Sequence, residues 1–108
     1  MQKKLKSSGN GWELYLSKQL LKLLGYNPNE IRLLITSNNG ALFIEPINIE
    51  ETEKYKDYMV RKLQRSGGSG YGLYLPTPLI EVLNINPETD FLDIEILGNK
   101  FSIKKTNV

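Results

Sequence analysis

A mostly β fold with short helices, in which two tandem strand–helix–hairpin units complete one small barrel, is predicted by three features of this 108-residue chain. The chain repeats itself. Hydrophobic spacing passes from a strand period to a helix period and back in each repeat. Each second alternation then turns on an Asn/Gly pair, the chemistry of tight hairpins.

The repeat comes first because the other two features rest on it. Setting Gly9 on Gly68, an offset of 59, places Lys3 on Lys62, Ser7 on Ser66 and Gly11 on Gly70. Leu14-Tyr15-Leu16 meets Leu73-Tyr74-Leu75, Leu20 meets Leu79, Leu24 meets Leu83, and Asn27-Pro28 meets Asn86-Pro87. Lys6/Arg65, Trp12/Tyr71, Leu21/Ile80 and Leu23/Val82 are like for like. Beyond Asn-Pro the offset is expected to slip, through a shorter second hairpin turn, and to return to 59 at Leu42/Phe101 and Ile44/Ile103. The repeats therefore span 3–46 and 62–105, with a linker over 47–61.

Each unit opens on a basic stretch that enters a Gly/Ser/Asn loop, 7–11 or 66–70. In the short strand that follows, Leu14 and Leu16, or Leu73 and Leu75, share one face, and Tyr15 or Tyr74 takes the other. A short helix comes next. Ser17 is a good cap for the first, and Gly25 a good left-handed stop. In the second, Thr77 is the expected cap, with Pro78 at the first helical position and Asn84 as the stop. In the first hairpin Ile31, Leu33 and Ile35 alternate up to Asn39-Gly40, and Leu42 and Ile44 return. In the second Leu92, Ile94 and Ile96 alternate up to Gly98-Asn99, and Phe101 and Ile103 return. In the linker, Asn48 with Glu51 resembles a capping box, and Glu50/Lys54 is an i,i+4 pair. A short helical or extended segment is expected there. One unit is too small to bury both faces of its strands, so two units are expected to pack about a pseudo-twofold, as a fused homodimer would.

Composition narrows the function. The chain has no cysteine and no histidine. That removes disulfides, thiolate chemistry, the commonest general base and the commonest metal ligand. No nucleophile, base and orienting group come together, so neither catalysis nor a cofactor or metal is expected. No apolar run approaches the roughly 18 residues of a membrane span, and no signal-peptide core follows the basic N-terminus, so a cytoplasmic protein is expected. The net charge is only +2, but the cations recur at corresponding places in both copies. Lys3, Lys4 and Lys6, and Arg61, Lys62 and Arg65, suit phosphate neutralisation on two sides of a pseudo-twofold. A lysine-protected edge strand is the plainer explanation of the same residues. The candidate DNA contacts are Lys4, Lys6, Ser8, Asn10, Lys18, Lys62, Arg65 and Ser69. Trp12 and Tyr71 are expected to pack on the barrel end. Because the copies differ, two unlike half-sites are expected, with Arg65 reading one and Asn10 the other.

The order basic strand, Gly-rich loop, Leu-x-Leu-(Pro), short helix, Asn-Pro, alternating hairpin resembles the AbrB/MazE/SpoVT swapped-hairpin family. Its carriers are Lys6-Ser7-Ser8-Gly9-Asn10-Gly11 in the first copy and, in the second, Arg65-Ser66-Gly67-Gly68-Ser69 with Leu73-Tyr74-Leu75-Pro76. The run from Leu83-Asn84-Ile85 to Phe91-Leu92-Asp93-Ile94 continues the likeness. The resemblance implies a cytosolic prokaryotic transcription regulator that binds duplex DNA, here as a pseudo-dimeric monomer or a homodimer of it. It leaves open an antitoxin that also binds a toxin protein, through the linker around Tyr55, Tyr58 and Met59, and a protein-interaction module without DNA binding. Tyr15 and Tyr74 stand where relatives often have arginine, Ser17 where they have proline, and the acidic tail of antitoxin relatives has no counterpart after the last strand.

Overall fold

Two antiparallel sheets face one another across a single apolar core. The computed structural model describes residues 1–106. Among them the elements run β1 (Gln2–Lys3), β2 (Lys6–Ser8), β3 (Gly11–Ser17), α1 (Lys18–Leu24), β4 (Ile31–Asn38) and β5 (Ala41–Asn48). A 3-10 helix, Ile49–Tyr55, leads to β6 (Met59–Arg61), β7 (Gln64–Ser66), β8 (Gly70–Leu75), α2 (Thr77–Leu83), β9 (Leu92–Leu97) and β10 (Lys100–Lys105). One sheet has six strands in the order β1-β9-β10-β5-β4-β6, and the other has four in the order β2-β3-β8-β7.

The register shows how the halves meet. In the four-stranded sheet Leu14 lies opposite Leu73, and in the six-stranded sheet Phe43 lies opposite Ser102. Each pair joins residues 59 apart, so one pseudo-twofold axis crosses the middle of both sheets. The halves also exchange strands: β1 pairs with β9 of the second hairpin, and β6 pairs with β4 of the first. Leu14, Leu16, Leu33, Leu42, Leu73, Leu75, Leu92 and Ile103 are completely buried between the sheets. Removal of this apolar surface from water is what holds the halves together.

The expected barrel is not closed. Each entry strand gives two or three residues to the edge of the six-stranded sheet, turns a corner, and gives three more to the four-stranded sheet. Leu5 and Leu63 sit buried at those corners. Strands that change sheet at a bend cover the open sides of a two-sheet packing without a continuous ladder.

The offset also differs from expectation. It stays at 59 from Gly11/Gly70 to the ends of the hairpins, because Asn39-Gly40 and Gly98-Asn99 are turns of equal length. The step falls in the entry strands instead. Lys3 lies opposite Leu92 and Arg61 opposite Leu33, and Lys6 lies opposite Glu13 and Gln64 opposite Gly72, so the entry strands correspond at 58. Two residues, Gly9 and Asn10, separate β2 from β3, whereas three, Gly67, Gly68 and Ser69, separate β7 from β8. Gly9 therefore matches Gly67, and both have positive φ, at 55° and 63°. Lys6 matches Gln64, and Ser7 matches Arg65.

The helices begin at corresponding places. Ser17 Oγ accepts from the Leu20 amide at 3.2 Å, as a capping residue should. In α2 the cap position is held by Pro76, and Thr77 is already the first helical residue without a capping bond. The proline replaces the serine of the first copy and displaces the expected cap by one. Gly25 and Asn84 end the helices in the left-handed region. The 47–61 segment is only partly a linker, since β5 extends to Asn48 and β6 begins at Met59. The Asn48 amide donates to Glu51 Oε1 at 3.1 Å. Lys54 pairs with Glu51 and not with Glu50, because a 3-10 helix brings residues three apart onto one side. Among the described residues no helix is long and apolar enough to cross a membrane.

Candidate nucleic-acid interface

The outer face of the four-stranded sheet is built from alternate residues of its two central strands. Leu14, Leu16, Leu73 and Leu75 point inward, so Glu13, Tyr15, Gly72 and Tyr74 face outward. Trp12 and Tyr71 fall on the inner side and pack against the core.

The two tyrosines explain glycines that the loops do not. A Cβ on Gly70 would lie closer than 3.0 Å to the Tyr15 ring, and one on Gly11 equally close to the Tyr74 ring. Each ring lies across the neighbouring strand of the other half. In these loops positive φ belongs to Gly9 and Gly67, and Gly11, Gly68 and Gly70 do not have it. Gly72 likewise leaves room for the Glu13 side chain.

Each tyrosine carries a cation from an entry strand. Lys3 Nζ stands 5.9 Å from the Tyr15 ring centre and the Arg61 guanidinium carbon 5.6 Å from that of Tyr74. These contacts match through the 58 and 59 offsets. The negative ring faces attract the cations. Arg61 Nε is buried and has no hydrogen-bond partner among the described residues.

Charge is divided between regions of the chain. Residues 1–26 and 59–80 hold eight cations and one acid, Glu13, while the remaining residues hold six cations and eleven acids. The ion pairs among the described residues, Lys54–Glu51, Lys100–Glu45 and Lys105–Asp90, all lie in that second, acidic portion. The Glu13 carboxylate is held by Ser66, whose hydroxyl donates to Oε1 at 2.5 Å across the pseudo-twofold.

The expected site residues separate into groups. Lys4 and Lys62 are exposed at matching places on the entry strands. Lys6 lies on the edge strand opposite Glu13 and so belongs to the tyrosine face; half-exposed Ser8, opposite Gly11, lies beside it. Arg65 lies opposite Tyr71, on the inner side of its edge strand, and lines a cleft with Pro28 and Asn29. It also borders the cleft that holds Glu13, Gln64, Gly72 and Tyr74. Asn10 and Ser69 are exposed at the loop tips, and the Ser69 hydroxyl lies 3.4 Å from that of Tyr15. Lys18 is the exposed first residue of α1. Lys3 and Arg61, read from the sequence as phosphate-neutralising cations, stand over the tyrosine rings, and Glu13 and Gln64 were outside the expected contact set. Aligning Lys4-Leu5-Lys6 with Lys62-Leu63-Gln64 through the apolar residue would have exposed Gln64. Nothing in the sequence marks the cation–tyrosine contacts.

Of the expected toxin contacts, Tyr58 is more than half exposed and meets Tyr55 edge-on at 5.7 Å, while Met59 is already in β6. Among the described residues no cluster of His, Cys, Asp or Glu is suited to hold a metal. Comparison with family models, with curated proteins and with solved structures gave no match to this chain.

Proposed function

We propose that this chain binds duplex DNA through the outer face of its four-stranded sheet and acts as a cytoplasmic transcription regulator. We read its architecture as a single-chain, pseudo-dimeric form of the AbrB-like swapped-hairpin fold. The exchange of entry strands between the halves and their twofold register support that reading. The observation that carries the function is the charge division: Lys4, Lys6 and Lys62, unpaired among the described residues, lie around a cation-capped tyrosine pair, while the paired cations lie elsewhere. Unpaired lysines meet phosphates without first breaking an ion pair, and their binding releases the counterions condensed on the duplex.

The phosphate-facing cations would set register and affinity, and residues nearer the twofold would meet the groove. Tyrosines at this place offer a hydroxyl and a flat apolar edge, not the two parallel donors of an arginine. Affinity then rests mainly on the surrounding lysines. Fluorescence anisotropy of a labelled random duplex, titrated over a salt series, tests the reading. Affinity falling linearly with the logarithm of salt concentration supports it. No association at low salt rejects it, and salt-insensitive association favours an apolar protein partner.

A further inference from the structure

The two halves of the tyrosine face carry the same net charge but different hydrogen-bonding groups. In the first half Lys6 lies directly opposite Glu13; at the matching place in the second, Gln64 lies directly opposite Gly72. A cation and an anion have been exchanged together for an amide and bare backbone. Tyr15 and Tyr74, Lys4 and Lys62, and Lys3 and Arg61 preserve the symmetry around this difference. Lys6 with Glu13 and Gln64 with Gly72 are each neutral together, so this difference is one of short-range recognition.

We infer that the face recognises an asymmetric duplex in one orientation, with Lys6 and Glu13 favouring a G·C pair in one half-site and Gln64 favouring an A·T pair at the matching position of the other. This rests on the DNA-binding reading above. Lysine donates to guanine O6 and N7, and a carboxylate accepts from cytosine N4, so Lys6 and Glu13 suit the two members of one base pair. A glutamine amide matches N6 and N7 of adenine. Glu13 is held for this role: Ser66 fixes one carboxylate oxygen, Gly72 makes room for the side chain, and the second oxygen remains as an acceptor. A carboxylate among phosphates weakens binding everywhere except where it meets a donor. It therefore acts as a filter against other pairs.

The test is selection of bound duplexes from a random pool with the intact chain, followed by the same selection with Lys6→Gln and with Lys6→Gln/Glu13→Gly. The wild-type site should be non-palindromic, with G·C in one half and A·T at the matching position of the other. Lys6→Gln, an exposed edge substitution that leaves the core untouched, should relax the G·C half by about 5-fold or more and leave the other half unchanged. The double variant should convert the site to A·T in both halves. Circular dichroism melting shows whether that variant remains folded, and Lys6→Gln supplies the answer if it does not. A palindromic wild-type site, or equal changes in both halves, overturns the inference and leaves DNA binding standing. Failure to enrich any duplex, together with salt-insensitive anisotropy, overturns both.

Discussion

The two sheets cross the same pseudo-twofold axis and put different residues on it. The smaller places Leu14 against Leu73, both completely buried, and turns Tyr15 and Tyr74 outward, with Lys6 on its edge. The larger places Phe43 against Ser102, leaves Phe43 40% exposed, and neutralises Lys100 and Lys105 with Glu45 and Asp90. Both sheets help to bury the core, so stability does not explain the contrast. Beside the smaller sheet Lys4, Lys6 and Lys62 make no ion pair among the described residues, whereas in the larger Lys100 and Lys105 are paired and Arg32 and Lys104 are not. On the reading proposed above, the unpaired cations beside the smaller sheet are the ones placed for a polyanion.

Core substitutions should break the comparison at its strongest point. Leu14→Ala or Leu73→Ala should cost about 2–5 kcal/mol, because each opens a cavity on the axis. Phe43→Ala, at the corresponding place in the larger sheet, should cost about 1 kcal/mol or less, since its ring is partly solvated. Urea denaturation measures both; equal losses would mean that the two sheets share the core evenly.

Gly70→Ala comes next. The Tyr15 ring must move away from the new methyl group, at a cost of about 1–3 kcal/mol. Gly68→Ala, two residues away, meets nothing within 4 Å and should change stability by no more than about 0.5 kcal/mol. Thermal melting of both variants separates a glycine needed for the tyrosine from one that is not.

Two smaller effects distinguish the halves. Ser17→Ala removes the cap of α1 and should cost about 1 kcal/mol, with no counterpart at Pro76. Tyr26 donates to the Asn99 carbonyl at 2.7 Å, tying the first half to the second hairpin turn. Burial, with Glu45 adding, pushes this phenol well above its ordinary range, so it remains a donor throughout the usual pH range. Tyr26→Phe should cost about 0.5–1.5 kcal/mol, read by urea denaturation.

Much of the fold was legible in the sequence. The Leu-Tyr-Leu strands, the Ser17 cap, the stops at Gly25 and Asn84, and the hairpin turns follow from local chemistry. The register step was not. Gly9 can be set on Gly67 or Gly68 with little change in local pattern, and only the burial of Leu5 and Leu63 decides between them. That single residue puts Gln64, and not Arg65, opposite Gly72, because side chains alternate along a strand. Closure of the barrel was equally illegible, since a corner at Lys4-Leu5 leaves no mark in composition. The Ser66–Glu13 bond joins residues from different halves and is invisible to any local reading.

The central claim is that the smaller sheet meets DNA and the larger does not. The most direct measurement compares the salt dependence of duplex binding for two triple variants, Lys4→Gln/Lys6→Gln/Lys62→Gln and Lys100→Gln/Lys104→Gln/Lys105→Gln. The account predicts that the first flattens the slope of log K against log salt by about 0.9 for each lysine lost, while the second keeps the wild-type slope. Equal flattening by both triples, or a change confined to the second, would contradict it.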